Sequence, residues 1–278
     1  MFKISHIHLG FLFSVFLVDG CGGTLGGNPE AEGGPAASGK ALSFAITDAP
    51  VEGAKSVFIT VESVSLLKAD GEWLSIPLET STEIDLLHYQ DGLTSPLAAI
   101  ADISAGTYSQ TRLVLSDSSP ARLIDLDGVE HSLKIPSGSE SGLKINSPIV
   151  FEAGVTKSLV IDFDLRKSIK LTGNGNSPNA KYMMKPILRM IESKDAGNLQ
   201  GTASNGDIVC LYPSGNAMDS TDDCDNAIVS GTAKDSRIKI GFIPPGTYDL
   251  RVFRNKVVLK DVKGVKIESV SLTTVDGL

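Results

Sequence analysis

Between Ser56 and Leu67 the side chains alternate: Val57, Ile59 and Val61 fall on one face, and then Val64 and Leu66 move the apolar set to the other. Period two is the signature of a β-strand, and this is the longest such signal in the chain. The change of phase near Glu62-Ser63 predicts a β-bulge or a crossing between two sheets. A second segment, Thr156 to Leu165, alternates without a break. It sets Leu159, Ile161, Phe163 and Leu165 on a core face, with Val160, Asp162 and Asp164 opposite.

The rest of the chain repeats this pattern in short pieces. Leu42 to Thr47 reads as a first strand, Ala69-Asp70-Gly71 as a hairpin turn into Trp73-Pro77, and Glu83 to Leu87 as another strand. Leu93 to Ile103 is the one segment expected to be helical, with Pro96 in its first turn. Gly106 to Leu115, a hairpin about Asp127-Gly128, and Lys181 to Glu192 complete a first domain over residues 41–192. Ser193 to Asn198 is polar and carries Gly197, which places a boundary there. Seven further strand signals over residues 198–278 make a second, smaller domain. With 28 glycines, 13 prolines and only 21% charged residues, the expected class is all-β, two β-sandwiches in series.

At the other end, Leu9 to Val18 forms one apolar run behind Lys3 and closes at Gly20-Cys21. The run is too short for a bilayer core of ~30 Å, which asks for ~20 apolar residues, so residues 1–20 read as a secretory signal. The site resembles the lipobox of bacterial lipoproteins, with Val18 three before the cysteine and Gly20 just before it. Asp19 departs from that pattern, where a small uncharged residue is usual. The resemblance implies that Cys21 is acylated and becomes the mature N-terminus. Gly22 after it, instead of an aspartate, resembles lipoproteins sent to the outer membrane. Residues 22–40 are Gly, Pro, Ala, Ser, Asn and Glu with hardly a large apolar side chain, a tether that cannot bury enough surface to order itself.

Of three cysteines, Cys21 is taken by lipid in this reading, leaving Cys210 and Cys224. In an exported chain an even remainder points to a disulfide, the alternative being two buried thiols. The balance of 25 basic against 33 acidic residues argues against capture of nucleic acid.

No catalytic constellation is visible. His88 and His131 lie in different segments without a nucleophile motif, and no phosphate loop or zinc spacing is present. Asp162 and Asp164 share a strand face and are candidates to hold a hard cation such as Ca²⁺ with Asp48 or Asp85; the alternative is a solvated outer face. Asp219, Asp222, Asp223 and Asp225 crowd the loop around Cys224, either as a cation site or as a solvated acidic loop. Trp73 and Tyr89 are the candidates for a sugar-stacking platform.

Several segments carry a resemblance. Leu42-Ser-Phe-Ala-Ile-Thr-Asp-Ala-Pro50, Val57 to Val61, Ala105-Gly-Thr-Tyr108 with Arg112 to Leu115, Ile161-Asp-Phe-Asp164 with Lys167-Ser168, and Lys185-Pro186 together resemble the bacterial family called domain of unknown function 4382. That likeness implies an exported lipoprotein and supplies no chemistry. Pro244-Pro-Gly-Thr-Tyr-Asp-Leu250 is similar to a motif of small prealbumin-like, carboxypeptidase regulatory-like β-sandwiches, whose relatives sit beside carbohydrate-binding or adhesion modules. Thr-Tyr after a glycine turn occurs at both Tyr108 and Tyr248, and either tyrosine is placed to pin a sheet corner. The expected function is a membrane-anchored, non-catalytic envelope module that binds a glycan or an envelope protein. The alternatives are a structural spacer without a ligand and, more remotely, an envelope enzyme.

Overall fold

The computed structural model describes residues 42–49, 51–136, 141–172 and 181–278. The signal segment, Cys21 and the tether to residue 40 lie outside the described residues. The first half runs β1 (Leu42–Ala49), β2 (Ala54–Lys68), β3 (Trp73–Asp85), β4 (Ser95–Ile100), β5 (Gly106–Leu115), β6 (Arg122–Asp125), β7 (Glu130–Lys134), β8 (Leu143–Ile145), β9 (Ile149–Phe151) and β10 (Lys157–Asp164). A single helical turn, α1 (Leu165–Ser168), leads on to β11 (Ile169–Thr172), β12 (Lys181–Met184) and β13 (Leu188–Glu192). One sheet has the order β13-β10-β1-β4, with β1 and β10 parallel. The other runs β11-β12-β7-β6-β2-β5-β8, with β3 on β2 and β9 on β5.

Their inner faces share one apolar cluster. Leu42, Phe44 and Ile46 of β1 and Leu159, Ile161 and Phe163 of β10 join Val57, Ile59, Val61, Val64 and Leu66 of β2. Each such side chain contributes about 1.5–3 kcal/mol on burial. The phase change in β2 is a bulge between Val61 and Ser63. The strand stays in one sheet, and the extra residue returns both apolar sets to the same core. Just ahead of the bulge one neighbour of β2 changes, from β6 up to Phe58 to β5 from Val61 onward.

Four local expectations differ from the structure. Leu93 to Ile103 is not helical: it holds β4, whose Ser95 and Leu97 are buried and whose Pro96 is exposed. β4 is the outermost strand beside β1, where a residue without an N–H is tolerated. Trp73-Pro77 and Glu83 to Leu87 are not separate strands, since β3 runs through from Trp73 to Asp85. Lys181 to Glu192 divides at Pro186 into β12 and β13, which belong to different sheets. The turn at Asp127-Gly128 spans four residues, not two, and Asp125 Oδ1 accepts from the N–H groups of Asp127 and Val129.

The second half comprises β14 (Gly197–Thr202), β15 (Ile208–Pro213), β16 (Val229–Thr232), β17 (Arg237–Ile243), β18 (Gly246–Arg254), β19 (Val257–Ile267) and β20 (Leu272–Val275). Sheets β17-β14-β20 and β16-β15-β18-β19 enclose Leu199, Val209, Leu211, Ile238, Ile240, Leu250 and Val252. The chain is thus all-β, built of sandwiched sheets. Both tyrosines pin corners: Tyr108 donates to the Ser104 carbonyl at 2.9 Å, and Tyr248 to the Pro244 carbonyl at 2.8 Å.

The two sandwich cores are separate clusters, yet residues from Gly39 to Leu278 form one compact unit. Side chains of the first half reach into the second. Arg166 donates to the Asp222 carbonyl at 3.3 Å and to Thr232 Oγ1 at 3.0 Å, and Lys167 Nζ to the Ala227 carbonyl at 2.6 Å. In the other direction Lys234 Nζ donates to Gln90 Oε1 at 2.7 Å. Gly92 and Gly241 meet so closely that a Cβ on Gly241 would lie 2.6 Å from the Gly92 Cα.

Candidate functional site

The outer face of the β2 sheet carries the most distinctive arrangement. Register alone builds it, because residues opposite one another on neighbouring strands share a face. Leu67 of β2 lies opposite Trp73 of β3 on one side and Gln110 of β5 on the other. In the next row Ser65 lies between Ser75 and Arg112, and Arg112 lies opposite Lys144 of β8. The inner neighbours Leu66, Leu113, Leu143 and Ile145 are buried in the core, so the platform stands on a rigid base.

Within it the Arg112 guanidinium stacks on Trp73 with its carbon 3.6 Å from the ring centroid. Arg112 Nε donates to Gln110 Oε1 at 3.1 Å, and Gln110 Nε2 donates to Asn146 Oδ1. Stacking and hydrogen bond together fix the guanidinium plane. Trp73 keeps 36% of its surface exposed. At the hairpin end Glu72 is engaged by Lys68 at 3.1 Å. The result is a sheet face of aromatic ring, amides, hydroxyls and cations. Hollows of about 300 and 270 Å³ elsewhere, at Thr60 and at Arg237, contain no aromatic side chain.

Tyr89 does not join Trp73. It follows the far end of β3, where its ring packs against the core and its carbonyl accepts from Asp48 N and Thr47 Oγ1. Trp73 pairs with Leu67 and Asp85 with Phe58, so the two aromatics stand at opposite ends of the ladder.

Asp162 and Asp164 do not form a solvated outer face; both are buried. Arg189 Nε donates to Asp162 Oδ2 at 2.7 Å, and Lys167 Nζ lies 3.1 Å from Asp164 Oδ2. Alternation predicted their shared direction, but β13 and the second sandwich cover that side. Asp85 Oδ1 accepts from the N–H groups of Val57 and Leu87. Asp48 is different. It lines a cavity of about 20 Å³ with Asp162, Ser230, Gly231 and Gly241, and neither of its oxygens completes a hydrogen bond. Burial, then the negative charge of Asp162, pushes its carboxyl well above the ordinary range, although Gln90 and the Leu165 N–H partly offset this.

In the acidic loop, carboxylates act as internal acceptors. Asp219 takes the Asn226 N–H at 2.8 Å, Asp222 takes the Lys256 N–H at 3.1 Å, and Asp223 takes the Thr221 hydroxyl, while Asp225 is exposed. Cys210 and Cys224 form a disulfide, their Cα atoms 5.8 Å apart. It holds the loop over Ile208, Tyr212 and Phe253 on the outer side of the β15 sheet. No group of three or more His, Cys, Asp or Glu side chains among the described residues converges to hold a metal ion.

Sequence reasoning singled out Trp73 and missed Arg112, Gln110, Lys144 and Asn146. The alternation of β5 already placed Gln110 and Arg112 on one face; the pairing that sets them beside Trp73 and Lys144 is long-range.

The fold and this aromatic, polar sheet face place the chain among all-β proteins built of sandwiched sheets. The family described as Domain of unknown function (DUF4382) matches residues 40–186, more than half of the chain, and the chain belongs to it. No curated protein matches the sequence. Among solved structures, the Bacillus anthracis TIE protein is similar at 10% identity and a TM-score of 0.24, over 85% of this chain. The chain spans 33% of that protein. GBS52, the minor pilin of Streptococcus agalactiae, is similar at 12% identity and a TM-score of 0.20, over 85% of this chain and 94% of its own. The fimbrial anchor protein Mfa2 from Porphyromonas gingivalis shares 8% identity at a TM-score of 0.16, with 80% and 82% covered. Likenesses this distant do not bear on function.

Proposed function

We propose that this chain is a cell-envelope lipoprotein that binds carbohydrate, without chemistry of its own, through the sheet face at Trp73. The supporting observation is the cluster of Trp73, Arg112, Gln110 and Asn146: a partly exposed ring beside amide groups on a sheet whose inner face is buried in the core. Sugars offer a C–H face to an aromatic ring and hydroxyls to amides, and an exposed sheet face suits an extended chain better than a small molecule, which prefers a concave site. Anchoring is proposed from Gly20-Cys21, with acylated Cys21 as the new N-terminus and Gly22 directing the protein to the outer membrane. No helix among the described residues is long and apolar enough to cross a membrane.

A second reading, a spacer without a ligand, is favoured by the junction, where Arg166, Lys167 and the Gly92–Gly241 contact hold the sandwiches as one unit. A glycan array with wild type and Trp73→Ala separates the two. Signals lost in the variant support the platform; uniformly blank arrays support the spacer.

A further inference from the structure

We infer that the glycan is acidic, with Arg112 and Lys144 as the counter-ions of its carboxylates; this deepens the carbohydrate-binding reading and rests on it. Arg122, Arg166, Arg189, Arg251 and Arg254 each face a carboxylate, and Arg237, which faces none among the described residues, is exposed on its strand. Arg112 faces none among the described residues, although it is partly buried and held in a fixed plane by Trp73 and Gln110. Its Nε edge is occupied by Gln110, and among the described residues no hydrogen bond or ion pair engages the two amino groups of the fork, which are the donors a ligand would meet.

Lys144 strengthens the case. It is exposed, has no carboxylate partner among the described residues, and lies directly opposite Arg112. Like charges in direct register destabilise a sheet pair, and an anion between them reverses that term. Arginine offers a carboxylate two parallel N–H donors, and a stacked guanidinium holds them in place before binding. A uronic acid supplies a carboxylate on the same ring that presents a C–H face to the exposed part of Trp73. With a net charge of −8 the whole chain repels polyanions at long range, so the attraction is local to this pair. Sulfated glycans share the anionic chemistry, and the test separates them.

The test is calorimetric titration of the full chain with polygalacturonate, fully methyl-esterified polygalacturonate, dextran and dextran sulfate. Polygalacturonate should bind about tenfold more tightly than its neutral ester, the effect of one charge-assisted contact. Arg112→Gln and Lys144→Gln should each weaken polygalacturonate binding and narrow that difference, with unchanged melting temperatures showing that both variants fold. Equal binding of acid and ester, abolished by Trp73→Ala, would overturn the acidic ligand and leave the carbohydrate site standing. Tighter binding of dextran sulfate would overturn the uronate and assign the anion to sulfate. No binding to any of the four would overturn the carbohydrate-binding reading itself.

Discussion

Arg166 Nη2 donates to Thr232 Oγ1 at 3.0 Å, joining a side chain of the first sandwich to a strand of the second. Arg166 as a whole is only 8% exposed, and its other amino group is used on the Asp222 carbonyl. Truncation to alanine therefore removes a buried cation and leaves two acceptors without their donor. Arg166→Ala is expected to cost about 2–3 kcal/mol, in line with hydrogen bonds to charged groups. Because the lost contacts join the halves, the calorimetric trace should broaden or split into two transitions. A single transition at the wild-type temperature would contradict the junction described here.

Asp48 makes the stability of the fold depend on pH. Burial raises its carboxyl above the ordinary value, and Asp162 and Asp164 add to this, while Gln90, the Leu165 N–H and the charge of Arg166 oppose it; Asp91 and Lys239 line the same cavity. The folded chain thus holds a proton that the unfolded chain releases near pH ~4. The contribution is fully present below that pH and is lost as pH rises toward the raised folded value. Asp48→Asn removes the titration. Its melting temperature, measured against wild type, should become more favourable from pH 4 to pH 8, and a constant difference would refute the buried acid.

The Cys210–Cys224 bond closes a loop with a sequence separation of 14 residues. A closed loop of this size stabilises by about 3 kcal/mol in the chain-entropy model. Here it also keeps the loop over Ile208, Tyr212 and Phe253. Paired Cys210→Ser and Cys224→Ser substitutions should lower the urea midpoint of the full chain, and reductant should lower wild type but not the double variant. An unchanged midpoint would show that the loop is held by its other contacts.

Local pattern carried much of this architecture. Alternation located β2 and its bulge, and the repeated Gly-Thr-Tyr pointed to the corners that Tyr108 and Tyr248 close on Ser104 and Pro244. It failed where the decisive contact is distant in sequence. Leu93 to Ile103 looks helical by itself and becomes β4 because β1 offers it an edge. Asp162 looks solvated until Arg189 and the second sandwich cover it. Arg112 stands in a segment that carries the family resemblance, but nothing local marks it as a site residue, because its importance comes from Trp73 and Lys144, on strands 39 and 32 residues away.

If glycan meets the chain at Trp73, the protein carries its own probe, since Trp73 is the only tryptophan. Titrating the protein with galacturonate oligomers while recording tryptophan emission reports on that one surface. A glycan seated at Trp73 should give a saturable change in intensity or wavelength, with a midpoint equal to the calorimetric Kd, and a weakened response in Arg112→Gln. Emission that stays constant through concentrations at which calorimetry shows binding would place the glycan elsewhere and contradict the account.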